Sequence, residues 1–535
     1  MPGKRSSTTR GPWPSAVLEN FYETASNDPE EPQLWGYTDR WSYAPGERVK
    51  LHVSTTLKTF DIAIWRDGAK RETVWTRKAV DGQFHPTPEN CSVNGCGWPV
   101  ALEIESPRDW RSGGYVITLS GDGIETHHLF ILRAAAEKRG AILQVAATGT
   151  WLAYNDWGGS NHYEGITGPD RNQMSPRVSM LRPFSRGFVV LPGGAPRIPL
   201  RQPPLMGAAL RHPHMEWAYA NGYSKKYASA GWASYDRHFF RWAEDEGYAV
   251  DLCALHDLHA DPAILGNYAV AVCVGHDEYW SAEMRDALDA YVEKGGRVAR
   301  FAGNFLWQTR IEDGGLSQVC YKYRFREDPF FGTADAIRTT TAWESREIAR
   351  PGALTFGVNA LRGMYAGWGG AAPRHSGGFT VYRARHWAFA GTDLYYGDGF
   401  GAQSRIFGYE VDGLDYTFQN GLPYPAGTDG APEGLEILAM GVAVMAEENH
   451  GGRGVDPFLG DDDLTFAAIA IFGEATPETL DKLRYGSGMI VNFTKGQGEV
   501  FTAGTCEWVS GLIDRDPFVE RITKNVLDRY LAINR

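Results

Sequence analysis

Four short apolar runs set the terms on which this chain can fold: AILQVAAT (141–148), YAVDLCAL (248–255), NYAVAVCVG (267–275) and RVARFAGN (297–304). A strand without polar alternation is buried on both faces, as in a parallel sheet covered by helices. Helix signals fall between these runs. Residues 236–247, DRHFFRWAEDEG, group Phe239, Phe240, Trp242 and Ala243 on one side and stop at Gly247. Residues 281–296, SAEMRDALDAYVEKGG, open on Ser281 as N-cap, carry Glu283 and Asp286 in the first turns and end at Gly295-Gly296. Strand–helix–strand order favours right-handed crossovers and a doubly wound α/β sheet.

The texture before and after this region differs. Over 31–138, RVKLHVSTT, DIAIWRDG, VALEIES and GGYVITLSGD alternate with period two between turn signals, and THHLFILRA follows as a closing strand and exit linker. That pattern predicts an antiparallel, immunoglobulin-like β-sandwich. Residues 1–30 read as a polar arm. Residues 139–535 read as one α/β domain with irregular insertions, including the Gly-rich loops GMYAGWGGAAPRHSGG and DLYYGDGFGAQ. FAAIAIF and GMIVNF are expected as strands, GQGEVFTAGTCEWVSGL as a strand with a turn, and DPFVERITKNVLDRYL as a final helix with a Phe518, Ile522, Val526, Tyr530 stripe.

Composition excludes several functions. A net charge of −12 opposes phosphate-backbone binding, so no nucleic-acid partner is expected. No apolar run approaches ~18 residues, so no membrane span is expected, and no apolar segment follows the basic start as a secretory signal would require. Cys253 and Cys273 lie in strand-like runs as buried thiols, while NCSVNGC places Cys91 and Cys96 in a polar loop where a local disulfide is the less favoured alternative to free thiols. This usage points to the cytoplasm.

The chemistry concentrates at strand ends. VGHDEYWS (274–281) joins a buried strand to a helix and packs His276, Asp277 and Glu278 where open α/β sheets bind ligands. The bland alternative is that one acid caps the helix and His276 is a satisfied loop residue. RFAGNFLW puts Asn304 at the equivalent end of the next strand, where an amide can hold a carbonyl or simply make a turn. GTWLAYNDWGGS, followed by Tyr163, crowds aromatics and glycines at a third strand end. Two phenols and a carboxylate would make a hard-oxygen site suited to trivalent iron, although wall aromatics are the commoner reading of such tyrosines. No G-x-S-x-G, P-loop, H-E-x-x-H or zinc-spaced cysteines occur, and no glycine fingerprint for a dinucleotide follows an early strand. His256-x-x-His259 and His212-x-His214 read as polar loops rather than metal pairs.

YNDWGGS, LRPF, FFRWAEDEGYAVDL, VGHDEYWS, RFAGNFLWQ, IFGYEVDG and GEVFTAGTCEWVSGL together resemble the large (β) subunit of N,N-dimethylformamidase over about 140–535, and YAPGERVKLHVST with DWRSGGYVITL resembles its smaller β-domain. The resemblance implies an α/β domain related to class I glutamine amidotransferases, without a nucleophilic Cys at the strand–helix turn. It implies a mononuclear Fe(III) held by two tyrosinates and one glutamate. By motif these are Tyr154, Tyr163 and Glu278, with Tyr219, Tyr223 and Tyr235 as alternatives for the second phenol. His276, Asn304 and Glu410 match pocket residues. The chain is shorter than that subunit, and no counterpart of its lectin-like domain is expected.

The expectation is therefore an iron-dependent amidohydrolase acting on a small N-substituted amide, a formamide such as N,N-dimethylformamide. In that scheme Glu410 moves the proton, His276 and Asn304 orient the substrate, and Trp157 and Phe305 exclude water. A small α subunit or a second copy is the partner the resemblance implies. The competing expectations are a non-catalytic, carbohydrate-binding scaffold on the same fold and an enzyme using the pocket on sugars.

Overall fold

The computed structural model describes residues 23–165, 174–197, 213–365, 377–408, 410–445 and 462–533. Its centre is a parallel sheet of β1 (Ile142–Ala146), β2 (Val250–Ala254), β3 (Val270–His276), β4 (Arg297–Gly303) and β5 (Gly498–Ala503), paired in the order β2-β1-β3-β4-β5. The side-chain period of two divides each strand between two cores. Val270, Val272 and Val274 join one apolar cluster, while Ala271 and Cys273 join the other. The first cluster takes in α2 (Arg237–Asp245), α5 (Trp508–Ile513) and α6 (Pro517–Ile533); the second takes in α3 (Leu255–Ala260) and α4 (Ala282–Glu293). Helices thus cover both faces. The strand order reverses between β1 and β3, which is where open α/β sheets place their ligands.

Beyond β5 the sheet continues with antiparallel strands Tyr485–Lys495, Glu436–Val444, Asn359–Tyr365 and Glu410–Gly413. This half curls. Val411 bridges to Thr505, and Cys506 N donates to the Glu410 carbonyl at 3.1 Å, so the last strand on the path returns to the carboxyl end of β5. Gly303 makes room for this closure: a Cβ there would lie 2.5 Å from Cys506 N and 2.8 Å from Glu410 O.

The stretch before β1 forms two sheets. A three-stranded sheet holds Leu34–Thr38, Arg48–Thr55 and Val100–Glu105, and a five-stranded sheet holds Ser42–Tyr43, Thr59–Asp67, Arg71–Asp81, Gly113–Gly121 and Ile124–Leu132. Leu51, Val53, Ile62, Ile64, Ile117 and Phe130 from both sheets share one core. All four segments with period-two alternation are strands, as is the closing segment THHLFILRA. Arg71–Asp81 carries no such signal, because it is a mostly exposed edge strand studded with charges, as edge strands that resist aggregation are.

Several expectations are corrected. FAAIAIF is the end of a helix, Asp462–Phe472, not a strand; alanines favour the helix and Asp462 and Asp463 suit its amino end. In GTCEWVSGL the segment from Trp508 is α5. The final helix forms as expected, but Val519 is buried where Phe518 is only partly so. His256 and His259 lie on α3 rather than in a loop, bonded to Thr148 and Ser281 respectively. Cys91 and Cys96 are free, and both are buried beside Tyr37, Trp98 and Trp157. Of the arm, residues 1–22 lie outside the described residues, whereas Glu23 is buried against Arg186. Residues 366–376 of the first Gly-rich loop and His212 are also outside them.

Buried charge ties the two halves together. Arg66, on Thr59–Asp67, donates to both Glu244 oxygens on α2, at 2.5 and 3.2 Å, and to the Ser112 carbonyl. Asp67 takes Arg237 in the same bidentate manner at 2.8 and 3.0 Å. Burial pushes the Glu244 carboxyl up, but Arg66 outweighs it and holds it below the ordinary value. Arg66→Met should cost about 3 kcal/mol of stability by thermal or denaturant melting, because it leaves the buried Glu244 carboxylate only the Ala69 amide and a more distant Arg111. The pair's contribution is present above the unfolded carboxyl value and lost as pH falls through the lower folded one, so the gap to wild type should narrow in acid.

Candidate functional site

The site lies at the carboxyl ends of β1, β3 and β4. β3 ends at His276, opposite Gly303 of β4 in register. The chain then turns through Asp277 and Glu278 into the short strand Tyr279–Ser281 and on into α4. Ser281 caps α4 by accepting from Met284 N at 3.3 Å. Neither acid is a cap: Asp277 accepts from Trp280 Nε1 at 2.7 Å, and Glu278 faces the site.

His276 is the hub. Its Nδ1 lies 2.8 Å from the Ser229 carbonyl, which can only accept, so Nδ1 carries a hydrogen. Its Nε2 lies 3.1 Å from Glu278 Oε2 and 2.9 Å from Glu410 Oε2. Burial pushes the imidazole down, but Glu410 and Glu278 reverse this and raise it to about 10. Burial raises Glu410, opposed by His276; burial also pushes Glu278 up, but His276, with Lys322 and Tyr163, brings it below its ordinary value.

Asn304 sits at the end of β4 with a left-handed φ of +62°, a conformation that asparagine tolerates better than most residues. Asp412 holds this turn, accepting from Asn304 N at 2.7 Å and from the buried Arg300 at 2.8 Å. The Asn304 amide donates to Glu410 Oε2 at 2.9 Å.

Tyr154, the last residue of α1 (Thr148–Tyr154), and Tyr163 complete the cluster. Their rings are 4.3 Å apart, Tyr154 packs edge-on to His276 at 5.0 Å, and Tyr163 Oη donates to Glu278 Oε2 at 2.7 Å. Burial first, then Glu278, pushes both phenols well above their ordinary value, so they are neutral unless a cation joins them. Two phenols and a carboxylate drawn to one place offer the hard, anion-forming set that suits a trivalent ion. The alternative tyrosines are not brought to Glu278 in this way. Tyr235 Oη is committed to Glu507 at 2.9 Å, Tyr223 packs under Arg186 at 4.3 Å, and Tyr219 lies on the separate helix Pro213–Asn221.

Trp157 and Phe305 join separate apolar cores. Trp157 packs with Trp35 and Trp98, and Phe305 stacks on Trp343. Trp307 does reach the site: its Nε1 donates to Glu278 Oε1 at 2.5 Å. Two further residues, both lysines, carried no sequence pattern. Lys322 is fully buried with Nζ 3.2 Å from the Tyr163 ring centre; burial lowers it to about 8. Lys226 lies 4.6 Å from the same ring. Arg182, of LRPF, is fully buried and donates to the carbonyls of Asn155, Trp157 and Ser160, clamping the loop that joins the two tyrosines. Cys506 closes the far side: its sulfur, a His276 ring nitrogen and a Glu410 oxygen all lie within 4.8 Å of one another.

A doubly covered α/β sheet with a closed cluster of acids, phenols and one imidazole at its switch point defines the class of protein. Residues 58–520 match the family described as N,N-dimethylformamidase beta subunit-like, C-terminal, and the chain belongs to that family. It is 24% identical over 482 residues to the N,N-dimethylformamidase beta subunit of Paracoccus aminophilus, covering 84% of this chain and 56% of that protein. The chain thus spans little more than half the length of that relative. A solved structure, the sulfur carrier protein SoxY from Chlorobium limicola f thiosulfatophilum, aligns with 21% of this chain and 86% of its own at 11% identity and a TM-score of 0.12, on which nothing rests.

The left-handed turn and the amide of Asn304 can be separated. Asn304→Gly should keep the turn, whereas Asn304→Ala should melt lower by about 1 kcal/mol relative to the glycine variant, because alanine resists positive φ. Thermal melts of the two proteins measure the difference.

Proposed function

We propose that this chain is an amidohydrolase that cleaves a small N-substituted amide of the formamide class to a carboxylic acid and an amine, with a ferric ion held by Tyr154, Tyr163 and Glu278. The observation that carries the reading is the convergence of those three side chains beside a second buried constellation, His276, Glu410 and Asn304. Membership of the family and the name of the relative support it. A trivalent ion there would supply Lewis acidity, and two phenolates with one carboxylate would neutralise its charge in a buried place. Lys322 and Lys226 beside the Tyr163 ring favour the ionised phenol.

The chain's own groups divide the rest of the work. Glu410 accepts the proton of the attacking water and returns it to the leaving nitrogen. The Asn304 amide and the His276 ring donate toward the oxygen on which negative charge develops. Ser229 holds the ring through Nδ1, and Asp412 holds Asn304 through its backbone, so both donors are preset. We read residues 31–138 as one sandwich domain and 139–535 as an amidotransferase-like catalytic domain. Six free cysteines support a cytoplasmic setting, and the relative's designation as a beta subunit supports a second subunit as partner. No helix among the described residues is long and apolar enough to cross a membrane.

Protein purified without added metal should contain about one iron per chain and show a visible tyrosinate-to-iron absorption band. Glu278→Ala should lose iron and amide turnover together. Glu410→Gln should keep the iron and the band while turnover falls by roughly 10²–10⁴-fold. Full amidase activity in colourless, iron-free protein would overturn the reading.

A further inference from the structure

The cluster on the other side of His276 has a different chemistry. A His276 ring nitrogen, a Glu410 oxygen and the Cys506 sulfur lie within 4.8 Å of one another, and all three residues are buried. One imidazole, one carboxylate and one thiol are a mixed nitrogen, oxygen and sulfur set, unlike the all-oxygen set of Tyr154, Tyr163 and Glu278. Borderline divalent ions such as zinc and cobalt take such sets, whereas hard trivalent ions prefer oxygen anions. A divalent cation offsets one carboxylate and one thiolate, while Glu278 keeps its own donors, Tyr163 and Trp307.

The arrangement is not that of a thiol nucleophile activated by histidine. Such a relay gives each ring nitrogen one partner, the thiol on one side and the acid on the other. Here Nδ1 is taken by the Ser229 carbonyl, and Nε2 faces both Glu278 and Glu410. The backbone fixes the trio. Cys506 N donates to the Glu410 carbonyl, and Gly303 lets both chains approach the end of β4. Asn304 Oδ1, buried and without a hydrogen-bond partner among the described residues, leaves an oxygen close by.

We propose that His276, Glu410 and Cys506 form a second metal site that takes zinc or another thiophilic divalent cation, with three protein ligands and an open fourth position. Binding displaces the thiol proton of Cys506 and any proton on the facing nitrogen of His276. It does not rest on the function proposed above. Its consequence does: occupation removes Glu410 and His276 from proton transfer, so zinc inhibits the amidase.

The test is spectroscopic. Chelator-stripped full-length chain is titrated with Co²⁺ without oxygen. A near-ultraviolet thiolate-to-cobalt band should grow to about one equivalent, survive in Tyr154→Phe and vanish in Cys506→Ser. Zinc-edge X-ray absorption on the wild-type chain should show one sulfur at about 2.3 Å and needs no variant to fold. A shell with no sulfur, a shell with two sulfurs as Cys91 and Cys96 would give, or a band unchanged in Cys506→Ser overturns the site. If the sulfur shell is present but zinc does not inhibit turnover, the site stands and the role given to Glu410 fails.

Discussion

Two carboxylates, Glu278 and Glu410, reach the same nitrogen of one buried imidazole. Like charges this close and this far from water repel strongly, and each alone would take up a proton. A positive charge between them changes that balance, and in this molecule the ring supplies it, its affinity for protons raised by both neighbours. The rest of the site follows from this one constraint. The ring must be held from behind, which the Ser229 carbonyl does. Each carboxylate must spend its remaining oxygen on a donor, which Trp307 does for Glu278.

The same constraint gives the cluster two unlike sides. Toward Tyr154 and Tyr163 the donors are oxygens, bracketed by Lys226 and Lys322. Toward Cys506 they are nitrogen, oxygen and sulfur. His276 belongs to both sides: a cation on the Cys506 side takes the place of the ring's proton, whereas one on the tyrosine side weakens the ring's hold on it through Glu278. A small movement of charge on one side is therefore felt on the other without any change of fold.

Much of the scaffold was legible from pattern. The continuous apolar runs are the parallel strands because burial on both faces leaves no room for polar alternation. The α4 cap and stop were readable because Ser281 and Gly295 act locally. FAAIAIF was misread because a short apolar segment has no period that separates strand from helix, and Arg71–Asp81 was missed because an exposed edge needs no apolar face. At the site, Glu278, His276, Asn304 and Glu410 could be named from motifs. Lys322 and Cys506 could not, since a single lysine or cysteine in sequence says nothing about the ring or carboxylate it will face.

By itself the sequence determined the strand and helix pattern, the loops that carry polar groups and the motif residues that mark the family. Those depend on neighbours within a few positions along the chain. Only the tertiary structure decided which groups meet. It chose Tyr163 over Tyr235 as the neighbour of Glu278, sent Trp157 and Phe305 into separate cores, and set Glu410 beside Cys506. The reason is the curl of the antiparallel half of the sheet. It returns the strand that carries Glu410 to the carboxyl end of β5, a contact between segments far apart along the chain that no local periodicity encodes.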